Sequence, residues 1–73
     1  MATVDHRATV DRIIATNGEE YADEPPVLKI VEYTNVGNRQ CWGVVWDGDP
    51  DPDRYERPSD WIRDPVVIWR RRT

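Results

Sequence analysis

The clearest hydrophobic pattern in the chain runs from Val27 to Trp46. In residues 27–34 (VLKIVEYT), alternation puts Val27, Val31 and Tyr33 on one face with Lys29. Leu28 and Ile30 fall on the other face, with Glu32 and Thr34. A strand that is apolar on both faces is expected in the middle of a sheet. Asn35-Val36-Gly37-Asn38 reads as a turn, with Gly37 or Asn38 able to take a positive φ. Residues 39–46 (RQCWGVVW) then read as the returning strand. Alternation sets Gln40, Trp42, Val44 and Trp46 against Cys41, Gly43 and Val45. The pair predicts a β-hairpin.

Flanking segments give weaker signals. Residues 8–16 (ATVDRIIAT) are rich in β-branched side chains and read as a strand. A helix competes for the same segment, because Val10, Ile13, Ile14 and Asn17 share one helical face. Asn17-Gly18 reads as a turn and residues 19–26 (EEYADEPP) as an acidic loop whose prolines exclude helix. After the hairpin, Asp47-Gly48-Asp49-Pro50-Asp51-Pro52-Asp53 is an acidic, proline-rich excursion that residues 54–58 continue. Ser59 is placed to cap a short helical turn through Trp61 to Arg63, ended by Asp64-Pro65. Residues 66–71 (VVIWRR) read as a last strand, with Val66 and Ile68 facing one way and Val67 and Trp69 the other. The expected fold is mainly β: a small antiparallel sheet, or an open SH3-like barrel, of 3–4 strands with one short helical turn. Residues 1–7 read as a flexible N-terminal leader and residues 8–73 as a single small domain.

Composition sharpens this picture. With 73 residues the chain has room for one small core, and domains of this size are marginal without a staple or a partner. Cys41 is the only cysteine, so no disulfide forms within the chain. His6 and Cys41 are the only soft ligands, too few for a structural zinc site, and no metal or cofactor is expected. Four tryptophans and three tyrosines remain to supply packing, since phenylalanine is absent. Trp42 and Trp46 lie on the same face of one strand and must share one environment, with the core expected.

Charge is uneven. Residues 1–53 hold four basic and eleven acidic side chains, and residues 54–73 hold six basic and three acidic. An acidic body does not suit general nucleic-acid binding, which wants a basic face. The exception is the end of the chain, where Trp69, Arg70, Arg71 and Arg72 combine a ring able to stack on a base with cations for phosphates. No apolar run approaches the length of a membrane span, and a lone free cysteine suits a reducing cytoplasm.

Candidate chemistry is sparse. The aspartates from Asp47 resemble the start of an EF-hand loop, but Pro52 stands at the sixth position, where glycine is needed, and Pro58 at the twelfth, where glutamate is needed. Cys41 lacks a nearby base to make it a nucleophile. Glu32, Glu56 and Asp60 are not drawn together by any spacing that would support acid–base work. No catalytic residues are therefore assigned and the chain is not expected to be an enzyme. Aromatic rings beside acids can hold a cationic side chain or a proline-rich peptide, as small SH3-type barrels do. On this basis Trp42, Trp46, Asp49, Asp51, Tyr55 and Trp61 are the expected partner contacts.

The size, the arginine and aspartate bias, and stretches such as Ile30-Val31-Glu32-Tyr33-Thr34-Asn35 and Tyr55-Glu56-Arg57-Pro58-Ser59-Asp60-Trp61 resemble the short accessory proteins of actinobacterial phages. That resemblance implies binding and modulation of a host protein. With no catalytic constellation and with aromatics beside an acidic loop, the expected function is a non-enzymatic module that binds a host or cognate protein and modulates or inhibits it. The alternatives are a self-assembling homo-oligomer, such as a homodimer joined through residues 66–70 as an exposed strand edge, and weak nucleic-acid binding through the C-terminal arginines.

Overall fold

A computed structural model describes residues 2–4, 7–19 and 25–72. His6, the acidic stretch 20–24 with Tyr21, and Thr73 lie outside the described residues. The elements, in order, are β1 (Ala2–Val4), α1 (Arg7–Ala15), β2 (Val27–Thr34), β3 (Gln40–Trp46), a single 3-10 turn (Arg54–Glu56) and β4 (Arg63–Arg70). The strands form one open antiparallel sheet in the order β1-β3-β2-β4. The fold is therefore mainly β, and of the two expected architectures it is the small sheet. The β2–β3 hairpin is central, as its two-sided apolar pattern requires. Asn38 takes the positive φ of its turn, at 60°.

Residues 8–16 are a helix, not a strand. Val10 and Ile13, three apart, are fully buried, and Ile14 packs beside them. Burying one Val or Ile side chain is worth about 1.5–3 kcal/mol. Helix propensities among these residues differ by only a few tenths of that, so tertiary packing overrides the β-branched bias. The helix ends in a Schellman motif. Gly18 N donates to Ile13 O at 2.9 Å and Asn17 N to Ile14 O at 3.1 Å, with φ of 51° at Asn17 and 78° at Gly18. Gly18 is required twice over, because a β-carbon there would come within 2.4 Å of Val27 O. The segment read as a leader contains β1, whose Ala2, Thr3 and Val4 pair with Val44, Gly43 and Trp42 of β3.

Two β-bulges correct the alternation read from the sequence. One lies between Val27 and Lys29 and rotates Val27 out of register with Val31 and Tyr33. Val27 joins Val10, Ile13, Ile30, Trp42, Val44 and Trp46 in the core under the helix. The other lies in β4 between the partners of Ile30 and Val31, so Ile68 and Trp69, adjacent in sequence, both pack on that same core. Trp42 and Trp46 are each 6% exposed, as their shared face demands. The Trp42 indole NH donates to Glu32 Oε2 at 2.9 Å, which satisfies the ring's one polar atom.

The sheet's second face carries Lys29, Val31, Tyr33, Cys41, Gly43 and Val45. It is covered by the excursion that begins at Asp47. Tyr55 stacks on Tyr33, with ring centroids 5.6 Å apart and planes 14° from parallel. The helical turn expected at residues 59–63 is absent. Ser59 and Ile62 instead exchange backbone hydrogen bonds at 2.9 and 3.3 Å, and Ser59 Oγ accepts from Trp61 N at 3.2 Å. The serine stabilises the turn locally, but β4 already begins at Arg63 and leaves no length for a helix. Asp64-Pro65 does not end a turn. It lies inside β4, with Asp64 at φ 52° beside a second register shift.

Candidate functional site

The six residues expected to contact a partner separate into three environments. Trp42 and Trp46 belong to the core, although Trp46 also borders an open cleft of about 400 Å³ with Pro25, Asp47, Gly48, Asp49, Pro50 and Arg54. Asp49, Asp51 and Tyr55 belong to the strap formed by residues 47–57. Trp61 alone presents a large ring to solvent, at 70% exposure.

The strap's acidic charge is neutralised from within the chain. The Asp49 carboxylate is almost wholly buried, accepts from Asp51 N at 2.8 Å and lies 3.6 Å from the Arg54 guanidinium. Arg57 grips Asp51 with both terminal nitrogens, at 3.1 and 2.5 Å. This hydrogen-bonded pairing holds the Asp51 carboxyl below its ordinary range and the Arg57 guanidinium above its own. Lys29, only 5% exposed, donates to Asp53 Oδ1 at 3.0 Å and to Glu56 Oε2. Burial works against the Lys29 ammonium, but the hydrogen bonds and charges of Glu56 and Asp53 outweigh it, and its pKa is raised. The hydrogen bond and the charge of Lys29 in turn hold the Asp53 carboxyl below its ordinary range. The run that reads as an exposed acidic surface is thus a latch on the sheet. Three of its four aspartates have a cationic partner in the chain.

The C-terminal arginines are also tied down. Arg71 N donates to Leu28 O at 2.7 Å and its guanidinium pairs with Glu19. Arg72 exchanges two 3.1 Å hydrogen bonds between its backbone and the Asn17 side chain. Arg70 lies 3.6 Å from Glu56. Trp69 is half-buried in a cleft shared with Ile14, Asn17, Arg70 and Arg72. That cleft opens at the C-terminus of α1, where the helix dipole disfavours an anion.

Exposed apolar surface gathers elsewhere. Among the described residues the large hydrophobic side chains open to solvent are Val36 (63%), Trp61 and Val66 (57%). The β2–β4 register brings the segments that carry all three to one end of the sheet. Thr34 pairs with Arg63 and Glu32 with Val66, so the 35–38 turn and the 59–62 turn lie side by side. Arg63 bridges them, donating from Nη2 to Asn35 O at 2.8 Å and to Asn38 Oδ1 at 2.5 Å. The sequence pattern points to Trp61 but not to Val36 or Val66. Val36 is a β-branched residue in a turn whose neighbours Asn35, Gly37 and Asn38 account for its geometry without it, and that was the available signal.

The outer edge of β4 is blunted. Two register shifts, the left-handed Asp64 and Pro65 break its run of backbone donors and acceptors, the devices by which natural sheets discourage strand addition. Among the described residues no helix is long and apolar enough to cross a membrane. No family model, characterised protein or solved structure matches the chain.

Proposed function

We propose that this protein is a non-enzymatic interaction module whose contact surface is the corner formed by Val36, Trp61 and Val66. The observation that carries the reading is the exposure of Trp61. In a chain that buries Trp42 and Trp46 and stacks Tyr55 on Tyr33, this ring is held in water on a hydrogen-bonded turn bolted to the sheet by Arg63. An exposed apolar cluster with fixed backbone suits protein recognition, because little side-chain and loop entropy remains to be lost on binding. Tryptophan is prominent among the residues that dominate interface energies. The non-enzymatic part of the reading is supported by Cys41, the one thiol, which is buried and accepts from Asn35 Nδ2 at 3.4 Å.

Affinity capture with the wild-type chain and with Trp61→Ala tests this reading. The variant is expected to keep its melting temperature and to lose the proteins that the wild type retains. Equal retention by both would refute the assignment of the surface.

A further inference from the structure

We infer that the occupant of this corner is a second copy of the same chain, docked about a two-fold axis that passes between Val36 and Trp61. The inference rests on the interaction reading above and supplies its partner. A two-fold interface must be self-complementary, since each residue that meets a partner group is itself met in return.

The charges around the corner have that arrangement. On the β3 side stands Arg39, exposed and without a side-chain partner among the described residues. On the β4 side stand Asp60 and Asp64, exposed and likewise without one. Val36 lies in the turn beside Arg39, and Trp61 in the turn that also carries Asp60. Arg63, the cation within the corner, is occupied by Asn35 and Asn38. The sheet order β3-β2-β4 separates the two margins by two strand spacings, about 10 Å. A rotation of 180° about a centre between the two turns would set Arg39 of one copy against Asp60 and Asp64 of the other, twice, and would cover Trp61. The chain's net charge of −4 opposes association of two copies in general, so a dimer needs locally paired charges of this kind. A domain this small, without a disulfide, also gains stability from burying apolar surface against another chain.

Light scattering across a concentration series, backed by sedimentation equilibrium, tests the inference on the full chain. The wild type is expected to move from the mass of one chain towards twice that mass as concentration rises. Trp61→Ala is expected to weaken association by about tenfold or more. Arg39→Asp and Asp60→Arg are each expected to weaken it, and the double variant R39D/D60R to recover it. All three positions are exposed, so unchanged thermal melts confirm that each variant is folded. A wild type that remains one chain up to about 1 mM overturns the inference, as does a dimer indifferent to both Trp61→Ala and the charge exchange. A monomeric wild type that still captures a protein through Trp61 would remove the second copy and leave the interaction reading standing.

Discussion

The ring of Tyr55 lies directly on the backbone of Gly43: a methyl group at position 43 would come 2.3 Å from Tyr55 Cγ. Gly43 therefore owes its place to the strap that crosses it. Gly43→Ala is expected to destabilise the fold by about 1–3 kcal/mol through overpacking. In Gly43→Ala/Tyr55→Ala the clash is gone, so the double variant should lose less than the sum of the two single losses. Urea titration of the four proteins measures that coupling. Additive losses would mean that Tyr55 does not rest on Gly43.

Lys29 latches the same strap, and its pH response has a defined sign. Its pKa is raised in the fold, so its contribution is complete below the ordinary value of 10.5 and fades as pH rises through the higher folded value. The pKa of Asp53 is lowered, so its contribution is complete above the ordinary 3.8 and fades as pH falls through the lower folded value. Lys29→Met is expected to flatten both limbs of a stability profile. Removing one partner of a fully buried pair costs about 3–5 kcal/mol, but Asp53 and Glu56 keep access to water, so about 1–2 kcal/mol is expected here. Urea midpoints from pH 3 to pH 11 supply the comparison.

Trp42 depends on Glu32 for the hydrogen bond of its indole NH. Glu32→Ala leaves a buried donor unpaired and is expected to cost about 1–3 kcal/mol. Glu32→Gln keeps an acceptor in place and is expected to recover most of that loss. Thermal melts of the two variants at neutral pH distinguish a hydrogen-bonding role from simple packing, for which the two losses would be alike.

Cys41 is expected to react with a thiol reagent only when the protein opens. It lies on the sheet face that the strap covers, opposite Tyr33 in the hairpin register. Its labelling rate should rise with urea in step with global unfolding and should rise early in Tyr55→Ala. Fast labelling of the native wild type would contradict the placement of the strap.

The central hairpin was legible in the sequence because every local signal agreed there: two-sided apolar alternation, a turn of asparagine and glycine, and an aromatic pair at even spacing. The helix was less legible because Thr9, Val10, Ile13 and Ile14 favour a strand locally, and only burial of Val10 and Ile13 against the sheet decides the matter. The bulges at Leu28 and Ile68 leave no local mark, since an extra residue in a strand is fixed by its neighbour's register. The candidate surface was half legible. Composition marked an acidic loop and an excess of rings. That Lys29, Arg54 and Arg57 fold the loop's charge inward is a matter of pairing between residues up to 27 positions apart.

The exposed corner is tested most directly by a photoreactive benzophenone side chain placed at position 61, with the same group at Arg12, an exposed site on α1, as the control. Irradiation in the native cell extract is expected to give a covalent adduct, with a second copy or with another protein, from position 61 and none from position 12. Adducts absent from position 61, or equal at both positions, would contradict the account.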